Sequence, residues 1–173
     1  MPELDSISIK GFKSIADVDD LRLGPINVLI GPNGSGKSNF IEVFSFLHAI
    51  RNGHLQEYVT RAGGADRLLH FGSKETKRMT LHLSFRGQVN QYEISLGATE
   101  GDELYPLQEE VLFWDKDNYD RPYSQSLARM GAEAGISDPQ TRIARYVREH
   151  LDRWRLYHFH DTSSSSPMKK TAD

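Results

Sequence analysis

Eight consecutive residues, Gly31-Pro32-Asn33-Gly34-Ser35-Gly36-Lys37-Ser38, satisfy the pattern G-x-x-x-x-G-K-[ST] in full. Each residue type has a physical task. Triphosphate oxygens need several donors at once, and Gly34 and Gly36 let backbone N–H groups curl around them at the positive end of a following helix. Lys37 is placed to reach the β- and γ-phosphates as a point charge, and the Ser38 hydroxyl to ligate a magnesium ion bridging the same two groups. An incidental glycine-rich turn would not need this full set between an apolar run and a helix. The same loop would cradle GTP, but neither Asn-Lys-x-Asp nor a following Asp-x-x-Gly occurs, so ATP is the expected nucleotide. A small-molecule kinase is disfavoured because no acceptor-substrate pocket can be named from the residues.

The elements that must position this loop are legible around it. Ile26 to Ile30 is a mostly apolar run suited to a buried strand that feeds the loop. From Lys37 the period changes, with Phe40, Ile41, Phe44, Leu47 and His48 on one expected helical face and Gly53 as the stop. Upstream, Ser6 to Ile9 alternate as a half-buried strand that Gly11 ends, Leu21 to Leu23 suggest a second short strand, and Gly24-Pro25 is a turn. Downstream, Met79 to Phe85 and Gln91 to Leu96 alternate about Arg86-Gly87-Gln88 and predict a β-hairpin. Glu109 to Trp114 adds a strand. Asp138-Pro139 then predicts the start of a second helix, with Ile143, Tyr146, Val147 and His150 or Leu151 at helical spacing to about Arg153. Arg155 to His160 reads as a last short strand. The sum is an α/β fold, a P-loop NTPase N-terminal lobe with a mixed β-sheet, a β-hairpin and flanking helices. One lobe is expected over 1–161, followed by a serine-rich disordered tail over 162–173.

Composition bounds the function classes. The chain has 173 residues and a formal net charge of -3, with a pI near 6.2, so nothing global draws it to nucleic acid or anionic membrane. The absence of cysteine excludes disulfides, thiolate nucleophiles and cysteine zinc sites and suits a reducing compartment. No apolar run approaches the roughly 20 residues that span a bilayer, and Met1 to Lys10 lacks the form of a secretory leader. A cytoplasmic protein without a membrane partner is expected. No repeat period suggests a solenoid.

Other constellations compete less well. His158 and His160 share one side of the expected last strand with Asp161 adjacent; a metal clip, a polar sensor near the γ-phosphate and a structural role all stay open, the last being the commonest. Arg142, Arg145, Arg148, Arg153 and Arg155 form a basic stripe able to follow DNA phosphates, but Glu149 and Asp152 interrupt it, as on a solvated helix face. Tyr119, Arg121 and Tyr123 could stack on bases, although their acidic surroundings read as a surface turn.

Ile9-Lys10-Gly11-Phe12-Lys13-Ser14-Ile15, followed by Gly31 to Ser38 and then Asn39, resembles the N-terminus of SMC/RecF-type ABC ATPases. The resemblance implies that Lys13 approaches the bound nucleotide. The segment Arg61 to Gly72 resembles the family's stretch that supplies a further arginine near the phosphates, with Arg61 in that place. From the residues alone, both are basic groups near turns. The longer pattern, through Trp154 to Ser163, resembles bacterial AAA-type ATPases related to RecF, whose members act in DNA repair, chromosome maintenance and phage defence. It implies ATP and magnesium as cofactors, Gly31 to Asn39 with Lys13 and Arg61 as nucleotide contacts, Ser38 as metal ligand, and a second ATPase head, from a homodimer or partner chain; DNA stays open as a partner.

Complete family members also carry a signature motif, an apolar strand ending in Asp-Glu, and a switch histidine further along the chain. Val111 to Asp115 imitates the strand, yet Lys116 stands where the glutamate belongs, and Gly63-Gly64 lacks the serine of a signature motif. No catalytic residue is assigned. The chain is expected to bind nucleotide better than it cleaves it, with hydrolysis awaiting completion of the site by a longer protein or a separate chain. The alternative is a non-hydrolysing nucleotide-sensing or interaction module that acts through a partner chain.

Overall fold

Alternation in the sequence becomes strand pairing in the computed structural model, which describes residues 4–127 and 131–155. In β1 (Leu4–Phe12) Ile7 and Ile9 are fully buried while Ser8 and Lys10 turn away. In β3 (Met79–Phe85) the buried set is Met79, Leu81, Leu83 and Phe85, and in β4 (Asn90–Ala98) it is Tyr92, Ile94 and Leu96. With β2 (Ile15–Arg22), β5 (Leu104–Phe113) and β6 (Tyr123–Ser126) they form one sheet in the order β2-β1-β3-β4-β5-β6. Every strand pairing among the described residues is antiparallel. The α/β lobe is present, and the expected hairpin is β3-β4.

Helices cover the sheet's apolar face. The first, α1 (Lys37–Arg51), presents Val43, Phe46, Leu47 and Ile50 to the core. This corrects the expected face: Ile41 is 42% exposed and Phe40 and Phe44 are only partly buried. The reason is that α1 carries two apolar stripes of equal spacing; the second is occupied by aromatic contacts of Phe44 with Phe40 and Trp154. The helix ends as foreseen: Gly53 takes φ 71° and its N–H returns to Ile50 O at 3.1 Å.

The expected strand at 26–30 is not formed. Ile26, Val28 and Ile30 are 85%, 74% and 90% exposed, and no pairing joins this extended stretch to another described segment. A run that apolar needs a neighbour on each side to be a buried strand, and the described residues place the whole sheet elsewhere.

Along the chain between α1 and β3 lie α2 (Leu55–Ala62) and the one-turn α3 (Ala65–Leu68). Gly63-Gly64 joins them in a tight turn: a Cβ on Gly64 would stand 1.8 Å from Asp102 Oδ2, in a left-handed backbone at φ 100°. The last described helix is α4 (Arg142–Asp152), whose N-cap is Thr141, accepting from Ala144 N at 3.3 Å. The Asp138-Pro139 start is thus three residues early, because a short 3-10 turn at Gly135–Ser137 occupies the approach. The expected strand at 155–160 and tail at 162–173 lie outside the described residues, apart from Arg155.

Candidate nucleotide-binding site

The phosphate loop turns because its glycines adopt conformations other residues resist. Gly34 and Gly36 hold φ of 84° and 91°. A Cβ on Gly36 would stand 3.1 Å from Ser14 Oγ, whereas nothing lies within 4 Å of one on Gly34, so the loop's outer lip is open. Gly36 is also the N-cap of α1, with no side-chain cap and no acid in the first turn. The N–H groups of Lys37, Ser38 and Asn39 therefore stand free of intrahelical partners at the positive end of the helix dipole. Lys37 Nζ bends over the loop, donating to Gly31 O at 2.8 Å and Pro32 O at 2.7 Å, with Ser35 Oγ at 3.4 Å. Among the described residues no carboxylate pairs with it. Replacing a neutral carbonyl by a phosphate oxygen would strengthen the contact, since the ammonium would then face an anionic acceptor and gain the attraction of opposite charges. Ser38 is exposed beside it. The donor set fits a polyphosphate.

The β1–β2 turn braces this loop. Ser14 Oγ accepts from Asn39 Nδ2 at 2.6 Å, while the Lys13 N–H reaches Leu68 O at 2.8 Å and the Lys13 carbonyl accepts from His70 Nδ1 at 2.6 Å. Lys13 Nζ is ion-paired to Glu42 on α1, which also accepts from the Tyr58 hydroxyl at 3.1 Å. Burial, reinforced by the Glu42 charge, pushes the Tyr58 hydroxyl well above its ordinary pKa and keeps it a donor. Arg61, at the end of α2, is exposed and lies 3.9 Å from Glu57. It lines a depression of about 670 Å³ between α1 and α2 that also holds Glu42, Tyr58, His48 and Trp154. The structure thus gathers Gly31 to Asn39 with Ser14, sets Lys13 alongside with its charge on Glu42, and puts Arg61 across the depression that Glu42 borders.

A family model described as "AAA domain, putative AbiEii toxin, Type IV TA system" matches residues 26–163. The chain belongs to this AAA-domain family. Over 106 residues, 61% of this chain, it is 38% identical to the chromosome partition protein Smc of Desulfitobacterium hafniense. Over 63 residues, 35% of the chain, it is 36% identical to the structural maintenance of chromosomes protein 1 of Saccharomyces cerevisiae. Over 98 residues, 56% of the chain, it is 29% identical to the DNA replication and repair protein RecF of Magnetococcus marinus. The similarity to SMC and RecF proteins read from the two N-terminal motifs is therefore found. The matched stretches make up 8%, 5% and 25% of those relatives' lengths.

The remaining candidates in this AAA domain are not joined to the loop by any hydrogen bond or ion pair among the described residues. Sheet register puts Phe113 beside Asn90, and Phe85 beside Leu4, at the end of the sheet opposite Phe12 and Ser14. Asp115 follows Phe113 there, so Val111 to Asp115 is an ordinary strand end. His158, His160 and Asp161 lie outside the described residues; among those described, no group of three His, Asp or Glu could hold a metal. In the arginine stripe Arg142, Arg145, Arg153 and Arg155 are exposed, while Arg148 is partly buried and donates to Ser137 O. Tyr119 and Tyr123 are 67% and 62% exposed, and Trp114 Nε1 donates to Tyr119 O at 2.9 Å. No helix among the described residues is long and apolar enough to cross a membrane.

Sequence reasoning missed three residues of consequence. Glu133 caps α2, accepting from Leu55 N at 2.8 Å and Gln56 N at 3.0 Å. Buried Glu109 accepts from Tyr92 OH at 2.9 Å, Gly135 N at 2.5 Å and Ile136 N at 2.9 Å. Phe71 sits 81% exposed in a left-handed backbone at φ 57°; its signal was present only as an aromatic before a glycine.

Proposed function

We propose that the chain binds ATP with magnesium at Gly31 to Asn39, as the nucleotide-binding part of an SMC/RecF-like ATPase head. The observation that carries this reading is the convergence at one loop mouth of the Lys37 ammonium and the uncapped start of α1. Lys37 binds the β- and γ-phosphates, the loop amides orient them, and Ser38 ligates the metal. Bound magnesium supplies charge neutralisation between those two phosphates. Lys13 joins the site by leaving Glu42, which keeps Tyr58 as its partner, and Arg61 adds charge from α2. Hydrolysis awaits a water-positioning group and a second charge-stabilising element from an opposing head or a further segment. The relatives' names, chromosome partition and DNA replication and repair, support a role in DNA maintenance or repair; phage defence, a cytoplasmic location, a second head as partner and DNA within reach of the assembly are further parts of the same proposal.

Calorimetric titration of the 173-residue chain with ATP and magnesium tests the reading. Lys37→Ala is expected to weaken binding by about 100-fold, the loss of two charge-assisted contacts. Equal binding by the variant would overturn it. A second reading, a nucleotide sensor that does not hydrolyse, is favoured by Asp115 standing at the far end of the sheet. Steady-state phosphate release by the chain alone would rule that sensor out.

A further inference from the structure

We propose that Phe71 is the platform on which the base of the bound nucleotide stacks, an inference that rests on the reading of Gly31 to Ser38 as a triphosphate site. Phe71 bears two unfavourable features at once. Its ring is 81% exposed, and its backbone lies at φ 57°, a region in which a bulky residue is strained. The turn itself is held by its neighbours: His70 N to Gly11 O at 3.0 Å, Gly72 N to Leu69 O at 3.0 Å, and Ser73 N to Asp66 Oδ1 at 2.7 Å. A glycine would satisfy those bonds without strain. An aromatic ring maintained in such a place points to a task outside the fold.

Its position supplies the task. From the phosphate loop a line of contacts runs outward: Asn39 Nδ2 to Ser14 Oγ at 2.6 Å, then the adjoining Lys13, whose carbonyl accepts from His70 Nδ1 at 2.6 Å, then the His70 ring, whose centroid is 4.2 Å from that of Phe71. The ribose and base of a nucleotide gripped by its phosphates extend away from the loop over a span of this kind. The ring borders a shallow depression of about 630 Å³ shared with Lys13, Asp66, Arg67 and Leu69, within the usual size of small-ligand sites. His70 touches the ring at an interplanar angle of 54° and leaves most of it to a flat partner, while Arg67 supplies positive charge at the rim. Stacking on such a ring tolerates any base, because every base has a π-face.

The test uses the 173-residue chain, three ligands and four variants. Wild type is expected to bind both magnesium-ATP and magnesium-tripolyphosphate. Phe71→Ala should weaken ATP binding by about 10-fold, a typical loss for removing one stacked ring, and leave tripolyphosphate binding unchanged. Phe71→Trp should keep ATP affinity and gain a tryptophan fluorescence change on adding ATP but not tripolyphosphate. Phe71→Gly should raise the melting temperature, because the left-handed backbone is relieved, and still lose ATP affinity as Phe71→Ala does; a purely structural ring would not separate the two readouts. If Phe71→Ala and Phe71→Gly bind ATP like wild type while Lys37→Ala loses both ligands, the platform is overturned and the phosphate loop stands. If wild type binds neither ligand, both readings fall. If Phe71→Ala weakens only binding of a single-stranded oligothymidylate, the ring serves nucleic acid and the proposal is wrong.

Discussion

Two stretches of this chain have the same apolar character and opposite fates. In β3, Met79, Leu81, Leu83 and Phe85 are fully buried, whereas Ile26, Val28 and Ile30, equally apolar and equally spaced, are 85%, 74% and 90% exposed. The difference lies in what stands beside them. Strand β3 has β1 and β4 as hydrogen-bonded neighbours and the helices over its apolar side, while the stretch before the phosphate loop has no paired neighbour among the described residues. An apolar pattern states what a segment requires, and only the surrounding chain can supply it. The sheet half is a finished core. The loop half has one strong local device, the grip on phosphates, set on a segment that still presents its apolar side chains.

The contrast breaks or holds first in the sheet. Leu81→Ala removes a fully buried side chain between Ile9 and Ile94 and is expected to cost about 2–5 kcal/mol, read as a fall in the urea midpoint at constant m-value. A smaller loss would mean that the core is looser than its burial indicates. Next comes Glu109→Gln. The amide keeps the volume and one acceptor oxygen but puts an NH2 where the other carboxylate oxygen accepts, so at least one of Tyr92 OH, Gly135 N and Ile136 N, all donors in the native arrangement, faces a donor. About 1–3 kcal/mol should be lost, with faster hydrogen exchange at Leu55 and Gln56, because Glu133 reaches α2 from the same short segment.

These carboxyl groups show where the sequence stopped being readable. Strand alternation in β3 and β4 was legible because each residue's side is decided within its own strand. The loop was legible because phosphate binding demands fixed residue types at fixed spacing. The face of α1 was not: Phe40, Ile41 and Phe44 are spaced as well as Val43, Phe46, Leu47 and Ile50, and only the position of the sheet chooses between them. Glu133 acts on Leu55 across 78 residues of chain, and no local pattern marks such a pairing. At 26–30 local reasoning identified the apolar need correctly and misjudged its fulfilment.

A smaller effect sits at the seam between the halves. His48 on α1 lies beside Arg51 and Arg155, and burial followed by these two positive charges lowers its pKa from 6.5, with Asp152 opposing. The unfolded chain therefore takes up the proton first, so the stability contributed by neutral His48 is complete above about pH 6.5 and is lost as pH falls toward the folded value. His48→Gln should flatten the dependence of thermal midpoint on pH below 6.5 relative to wild type. If the wild-type midpoint rose on acidification through His48, the sign assigned to its neighbours would be wrong.

The smallest expected change is the most discriminating. Ile26→Ser with Ile30→Ser replaces two side chains that are 85% and 90% exposed, so the folded chain loses almost no buried surface and its stability should move by no more than about 0.5 kcal/mol. The same pair of changes removes part of an exposed apolar stretch, the kind of surface that draws chains together. Sedimentation velocity at rising concentration should then show less self-association for the double variant than for wild type, with phosphate binding at the adjoining loop retained. A loss of 2 kcal/mol or more, comparable to Leu81→Ala, would mean that Ile26 and Ile30 are packed in solution as β3 is. The difference between the two halves would then be one of conformation and not of composition or neighbours.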